Sequence, residues 1–332
     1  MTSHYSDEVC IPALMAAREN KNIRLGLCCI NNTLRNPVKG EGMKKKPEPI
    51  FCSRSCIRDT YTVEKVKELA LQNVKDLIPM LEWNQKHNIH HLRLSSEMFP
   101  HYTDKECESY TLDFAIPTLQ KAGELANKFG HRITMHPAQW NQIGAKSEDV
   151  FQSTVEDLSH HADILDAMNI DHNGILCIHG GGMYGDKEST MKRWIEQFDD
   201  LPIKVKNRIA IENCEKCYSV EDVLQLSQRC DIPVIYDTHH YHCYDHYHPN
   251  ESQKEIQSLI PDILDSWKTR RPLFHISEQK PNKPVGTHSD MIENIPGHLL
   301  EIPYLYSTGI DIEVEAKDKE KAIFYLMDKY KI

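Results

Sequence analysis

No stretch of this 332-residue chain approaches the roughly 18 consecutive apolar residues that a membrane span requires, so no transmembrane segment is expected. The opening residues Met1–Cys10 are polar and acidic, without a basic region or an apolar core, so no secretory signal is expected. No linker rich in Pro, Gly or Ser divides the chain, and neither an internal repeat nor a low-complexity tract interrupts it. An excess of positive charge is missing too. Lys and Arg number 39 against 49 Asp and Glu, a net charge of −10, which argues against a broad basic face that coats nucleic acid but leaves room for a local positive site. The 11 cysteines follow no disulfide framework in a chain this long, which fits reduced thiols in an intracellular compartment, cytosolic, nucleoid or nuclear. What is present in quantity is histidine, 19 residues, many beside carboxylates or turn residues.

Short apolar runs alternate with amphipathic stretches along almost the whole chain, the pattern of repeated βα units around a parallel sheet. The runs predict strands at Ile23–Ile30, Ile89–Leu94, Arg132–His136, Gly174–His179, Arg208–Asn213, Pro233–Asp237, Pro272–Ser277 and Gly309–Glu315. Helices are predicted at Val63–His87, Leu112–Phe129, Glu148–Met168, Lys187–Phe198, Val220–Gln228, Ser252–Trp267 and Asp318–Tyr330. Thr60-Tyr61-Thr62 with Glu64, and Ser147 with Glu148 and Asp149, supply N-terminal caps and acidic first turns. Eight strands with intervening helices predict a single α/β domain, a (β/α)₈ TIM barrel over residues 23–332, preceded by an extension over residues 1–22.

In such a barrel the chemistry sits at the C-terminal ends of the strands. Here the first strand ends near Asn31, the second leads through Arg93 to His101, and the third ends at His136. The fourth ends at His179 and the fifth at Glu212. The sixth ends at Asp237 with His240 beyond it, the seventh carries His275 with His288 in its loop, and the eighth ends at Glu315. Any one histidine at a strand end is ordinarily a hydrogen-bonded polar residue. Six histidines and three carboxylates aimed at one mouth are different, because burying them together without counter-charge costs several kcal/mol per ion. Divalent metals offset that cost, and the N/O donor set suits Mn²⁺, Zn²⁺ or Fe²⁺ better than Ca²⁺. Nine ligands exceed what one ion takes, so two or three ions are expected, with Glu212 central enough to bridge. Such a site suits phosphate-ester hydrolysis, and three divalent ions against three carboxylates would make a cationic pocket in an acidic protein.

The stretches RLGLCCINNTLR (24–35), WNQKHNIHHLRLSSEMFPH (83–101), MHPAQW (135–140), IHGGGMYGDK (178–187), IENCEKCYS (211–219), IPVIYDTHHYH (232–242), FHISE (274–278), THSD (287–290) and EAKDKE (315–320) resemble, in this order and spacing, the UV damage endonucleases. These are DNA repair enzymes in the barrel superfamily of endonuclease IV. The resemblance runs from about Ile23 to Lys317. It implies that His101, His136, His179, Glu212, Asp237, His240, His275, His288 and Glu315 are metal ligands, with Glu212, His101 and Glu315 in the catalytic machinery. It further implies Mn²⁺-favoured incision of double-stranded DNA immediately 5′ of UV photoproducts, with Zn²⁺, Fe²⁺ or Mg²⁺ as other metals, by a monomer. A glutamine–aromatic pair that probes the lesion falls on Gln139 and Trp140, with Asn31 as a further DNA contact. The chain departs from the family pattern at Leu27, commonly a tyrosine, and at Leu273, commonly a lysine.

Rival readings are an apurinic-site endonuclease or a metal-dependent sugar isomerase of the same superfamily, and a DNA- or metal-binding protein without turnover. The run Lys44-Lys45-Lys46, in the loop after the first strand, reads either as a solvated loop or as a contact for a polyanion. Cys214-Glu-Lys-Cys217 has CxxC spacing but no second pair, and packing is the preferred reading. His239, His242, His246 and His248 read as a polar loop after the sixth strand.

Overall fold

The computed structural model describes residues 22–40 and 44–332. Apart from Asn22, the expected N-terminal extension lies outside the described residues. All eight expected strands form: β1 (Ile23–Cys28), β2 (His91–Leu94), β3 (Arg132–Met135), β4 (Leu176–His179), β5 (Ile209–Glu212), β6 (Val234–Asp237), β7 (Leu273–Ile276) and β8 (Ile310–Val314). They pair in parallel in sequence order and close into a barrel, with Ile23 to Leu27 of β1 in register with Ile310 to Val314 of β8. The expected helices follow the strands, the first spanning Val63–Lys86 and the last Glu320–Tyr330. Thr62 caps the first by accepting from the Lys65 amide, whereas the Ser147 side chain makes no cap bond. No helix of the described residues is long and apolar enough to cross a membrane.

The inside of the barrel is divided. Around β4 to β7 its lower layer is apolar, a buried cluster of Ile175, Cys177, Ala210, Ile235 and Leu273 closed by Trp267. Around β1, β2, β3 and β8 it is polar and ionic. Strand alternation turns Asp311, Glu313 and Glu315 of β8 to one face. Asp311 meets Arg24, Arg132 and Arg271; Glu313 meets His91, Arg93, Thr134 and His275; Glu315 meets Arg93, His275 and His288. Gly26 of β1 is required here, because a Cβ on it would stand 2.7 Å from the His91 ring. Leu273 belongs to the apolar half, and Leu27 packs in the large core between barrel and helices. Leu27 is fully buried and presents nothing to the mouth, so the departure at this position alters packing and not a surface contact.

One expectation is corrected. The histidine-rich segment after β6 is not a loop but a helix, Thr238–Tyr247. Its histidines and tyrosines show no apolar period. The helix is started by Asp237, whose side chain accepts from the His240 amide at 2.7 Å, and it is held by packing on the barrel.

Candidate active site

Glu212, at the end of β5 and 1% exposed, stands at the centre of the mouth. Its Oε2 lies 3.0 Å from His136 Nε2 and 3.7 Å from His179 Nε2. Its Oε1 lies 3.0 Å from His275 Nδ1 and 3.4 Å from His240 Nδ1. These imidazoles come from β3, β4, β7 and the start of the helix after β6, so barrel closure alone assembles them. His275 continues to Glu315 at 3.6 Å, and Glu315 to His288 at 3.5 Å. An antiparallel bridge between Gln279 and His288 folds the loop after β7 back toward the mouth. Asp237 stands 3.9 Å from His240 Nδ1.

Eight of the nine expected ligands are thus linked in one cluster, and His101 is not among them. It lies beyond β2 with a left-handed backbone, φ 56°, its Nδ1 3.1 Å from Asp104 and its Nε2 2.7 Å from the Cys56 carbonyl. It shares that neighbourhood with Cys107 rather than with Glu212. Asn31 is also placed otherwise than at an exposed contact. It is fully buried and caps the short helix Asn32–Arg35 through a 2.9 Å bond from the Leu34 amide.

Gln139 and Trp140 are exposed, as expected for groups that meet a ligand from solvent. They occupy the two central positions of a turn closed by the Asn141 amide on the Ala138 carbonyl at 3.0 Å, just after His136 and Pro137. Asn141 is anchored in turn on Asp157 at 2.8 Å. Trp140 keeps 49% of its surface exposed, which a packing role does not explain. Lys44, Lys45 and Lys46 are likewise exposed. In the CxxC loop the amides of Cys217 and Tyr218 donate to the Cys214 sulfur at 3.2 Å each, a turn-building role, and none of the described cysteines is in a disulfide.

The electrostatics are those of a charged cluster held out of water. Burial opposes the charge on Glu212, yet the imidazoles of His275 and His179, with hydrogen bonds from His136 and His240, hold its carboxyl well below the usual range. Burial likewise disfavours charged His275 and His240. For His275 the carboxylates of Glu212 and Glu313 win, for His240 those of Asp237 and Glu212, and both rings are pushed well above their ordinary value. His179, where burial dominates, is pulled down to about 4. Against its burial, Arg93 and His275 hold Glu315 down at about 2.

Several participants carry no strand-end signal. Cys177 approaches Glu212 Oε2 at 3.1 Å, Arg93 bridges Glu313 and Glu315, and His239 lies buried beside the His288 ring. The available clue was the period of two: Cys177 precedes His179 by two residues and Glu313 precedes Glu315 by two, so each pair shares a face.

The cluster fits divalent cations. Asp237 is fully buried, burial raises its carboxyl above the ordinary value, and its Oδ2 has no hydrogen-bond partner among the described residues. The buried Nδ1 of His179 has none among them either. Imidazoles and carboxylates that lie close together with unspent lone pairs are the donor set of Mn²⁺-, Zn²⁺- or Fe²⁺-type ions. The trios His136–His179–Glu212 and Glu212–Asp237–His240 each offer three ligand atoms within 4.8 Å of one another and share Glu212.

Comparison with known proteins gives the family and the fold. The UV-endonuclease UvdE family model matches residues 23–332. A protein of Acanthamoeba polyphaga mimivirus is 34% identical over 94% of this chain and 92% of its own length. The UV-damage endonuclease of Schizosaccharomyces pombe is 35% identical over 93% of this chain, which spans only 51% of that longer protein. The crystal structure of SacUVDE superposes with a TM-score of 0.77 at 29% identity, over 93% of this chain and 98% of the other. Endonuclease IV from Thermus thermophilus, at 13% identity and a TM-score of 0.52 over 77% of this chain and 93% of its own, shares the fold. With a match that runs from the first barrel strand to the last residue, the chain belongs to the UV-endonuclease family.

Proposed function

We propose that the chain is a metal-dependent DNA endonuclease that hydrolyses the phosphodiester immediately 5′ of UV photoproducts, leaving a 3′-hydroxyl and so initiating excision repair. The observation that carries this reading is the convergence of four imidazoles on one buried carboxylate, Glu212, on the same face as an exposed Gln139–Trp140 turn. His136, His179, Glu212, Asp237, His240, His275, His288 and Glu315 would hold two or three divalent ions, Mn²⁺ ahead of Zn²⁺, Fe²⁺ or Mg²⁺. Bound there, such ions would supply Lewis acidity toward a phosphate oxygen and an activated water at neutral pH. His101 would be a ninth ligand on the motif resemblance, but its ring is held apart from this set by Asp104 and the Cys56 carbonyl.

The chain's own residues prepare the site. Arg93 holds Glu315 in place from below, and the Glu313–His275 contact orients the ring that faces Glu212. At the rim, Trp140 offers a planar face on which a base can stack where damage has loosened the helix, and Gln139 a polar edge beside it. Extrusion costs least where stacking is already weakened, which gives preference for damaged duplex.

The test is incision of UV-irradiated, abasic and intact duplexes with Mn²⁺ and with chelator, the cut mapped to the nucleotide. Metal-dependent cleavage 5′ of photoproducts is the expected result. Cleavage confined to abasic sites would favour an apurinic-site endonuclease. Sugar isomerisation without any DNA cleavage would overturn the reading.

A further inference from the structure

At the end of the barrel opposite Glu212, where the strands begin, lies a cavity of about 420 Å³ whose lining includes Arg24, Arg132, Arg271, His131, Asp171 and Asn173. It is built around Asp311 at the start of β8. Arg24 grips that carboxylate with two bonds, 2.6 and 2.9 Å, Arg132 approaches it at 3.0 Å and Arg271 at 2.7 Å. Three guanidiniums against one carboxylate leave two positive charges. The next carboxylate up the barrel, Glu313, is engaged by His91, Arg93 and His275. The carboxylate of the cavity's own acid, Asp171, accepts from the amide and side chain of Asn173 and from no arginine among the described residues, Arg208 reaching only its carbonyl.

Part of this excess is held out of water, while the Arg24 and Arg271 side chains keep 26% and 27% of their surface exposed toward the cavity side. The Arg132 side chain is 3% exposed, its guanidinium lies 5.1 Å over the Trp267 ring, and its Nη2 has no hydrogen-bond partner among the described residues. The rest of that guanidinium is fixed by the carbonyls of Asn173 and Arg271. Burial pulls both Arg132 and Arg271 below the ordinary basicity of arginine. A buried guanidinium with an unspent N–H, beside two others, is stable only if something supplies negative charge. We propose that this cavity is an anion site that takes a phosphate-class dianion, inorganic phosphate or the phosphate of a small monoester. Two charges on the ligand match the two unpaired on the protein, the planar guanidiniums suit bidentate phosphate recognition, and the volume is that of a small-ligand pocket. The site is separate from the proposed catalytic mouth and does not depend on that assignment. Its occupant would tie the beginnings of β1, β3, β7 and β8 together.

The experiment is titration of the metal-loaded full chain with inorganic phosphate at fixed chloride and ionic strength, read by calorimetry. Arg24→Gln removes a cavity arginine from the partly exposed side, and Asp171→Asn removes a like charge at the rim without touching Asp311. We expect one phosphate site per chain, besides any phosphate taken up at the metals, that weakens by about tenfold or more in Arg24→Gln, the scale of one charge-assisted hydrogen bond, and tightens in Asp171→Asn. Catalytic activity should be unchanged in both. Competition by adenosine 5′-monophosphate would assign the site to monoesters, and its failure to free phosphate. Because Asp171 is exposed, its variant reports even if Arg24→Gln does not fold. Phosphate uptake indifferent to either substitution, or none at all, would overturn the proposal.

Discussion

His275 Nδ1 lies 3.0 Å from Glu212 Oε1 and its Nε2 3.2 Å from Glu313 Oε2, so one buried imidazole is held between two carboxylates from strands on either side of it. The ring is thereby oriented, and Glu212 is the residue on which the cluster converges. Glu212→Gln keeps the shape and removes the charge. Metal content of the purified variant should fall, and incision should drop by at least about a hundredfold to a thousandfold, the scale of lost electrostatic stabilisation at a reacting centre. Circular dichroism should show the fold retained. Near-normal cleavage with full metal content would remove Glu212 from the machinery.

Trp140 separates a lesion reader from a general metallohydrolase. Base–aromatic stacking contributes about 1–3 kcal/mol, so Trp140→Ala should weaken binding of irradiated duplex by roughly tenfold to a hundredfold with metal content unchanged. Gln139→Ala should act more mildly, chiefly on discrimination against intact duplex. Equal loss on damaged and undamaged DNA would end the wedge role. Unfolding of Trp140→Ala would make the residue structural despite its exposure.

Asp311 should matter for stability more than for turnover. Removing one partner of a buried ionic group costs about 3–5 kcal/mol, and here three arginines would lose theirs. Asp311→Asn should therefore shift the urea midpoint strongly, while activity per folded molecule stays close to normal. A shift below about 1 kcal/mol would mean that water already screens the cluster.

Acid should destabilise the protein in two stages. Burial lowers His131 to about 4 and holds His160, neither of whose ring nitrogens has a hydrogen-bond partner among the described residues, well below its ordinary value. The unfolded chain takes up these protons first. Stability is therefore full above about pH 6.5 and falls as pH drops toward 4, by about 1.4 kcal/mol per pH unit for each imidazole within its window. Asp311 is held well below the usual carboxylate range by Arg24 and Arg132 despite its burial, so its contribution persists through that stage and is lost only at lower pH. Urea unfolding at pH 7, 5.5 and 4.5 measures the first stage. A pH dependence in His131→Gln as steep as that of the parent would show that the neutral His131 imidazole is not one of its sources.

The exposed run Lys44–Lys46 follows β1, on the side of the barrel where Glu212 lies. If it meets the DNA backbone, replacing all three lysines by serine should flatten the salt dependence of binding, by up to about 0.9 in log–log slope for each phosphate no longer neutralised. The incision position should not move. An unchanged slope would identify the run as a solvated loop.

The strands and most of the ligands were legible because their signals are local. An apolar run bounded by turns specifies a buried parallel strand, and a His, Asp or Glu at its C-terminal end needs only the barrel to be brought to the mouth. Gln139 and Trp140 were singled out by the motif resemblance, and the fold exposes them three and four residues beyond His136. Other features depend on partners far away in the chain. Arg24 and Asp311 meet across 287 residues because closure sets β1 against β8, and nothing near either residue announces it. The 238–247 helix lacks apolar periodicity and is fixed by its cap and its packing, so its histidines read as a loop. His101 was placed with the ligands by its motif. In the fold, a left-handed backbone and bonds to Asp104 and the Cys56 carbonyl aim it elsewhere. Strand alternation puts Cys177 and Glu313 on the same faces as His179 and Glu315, but only the closed barrel determines which side chains meet them there.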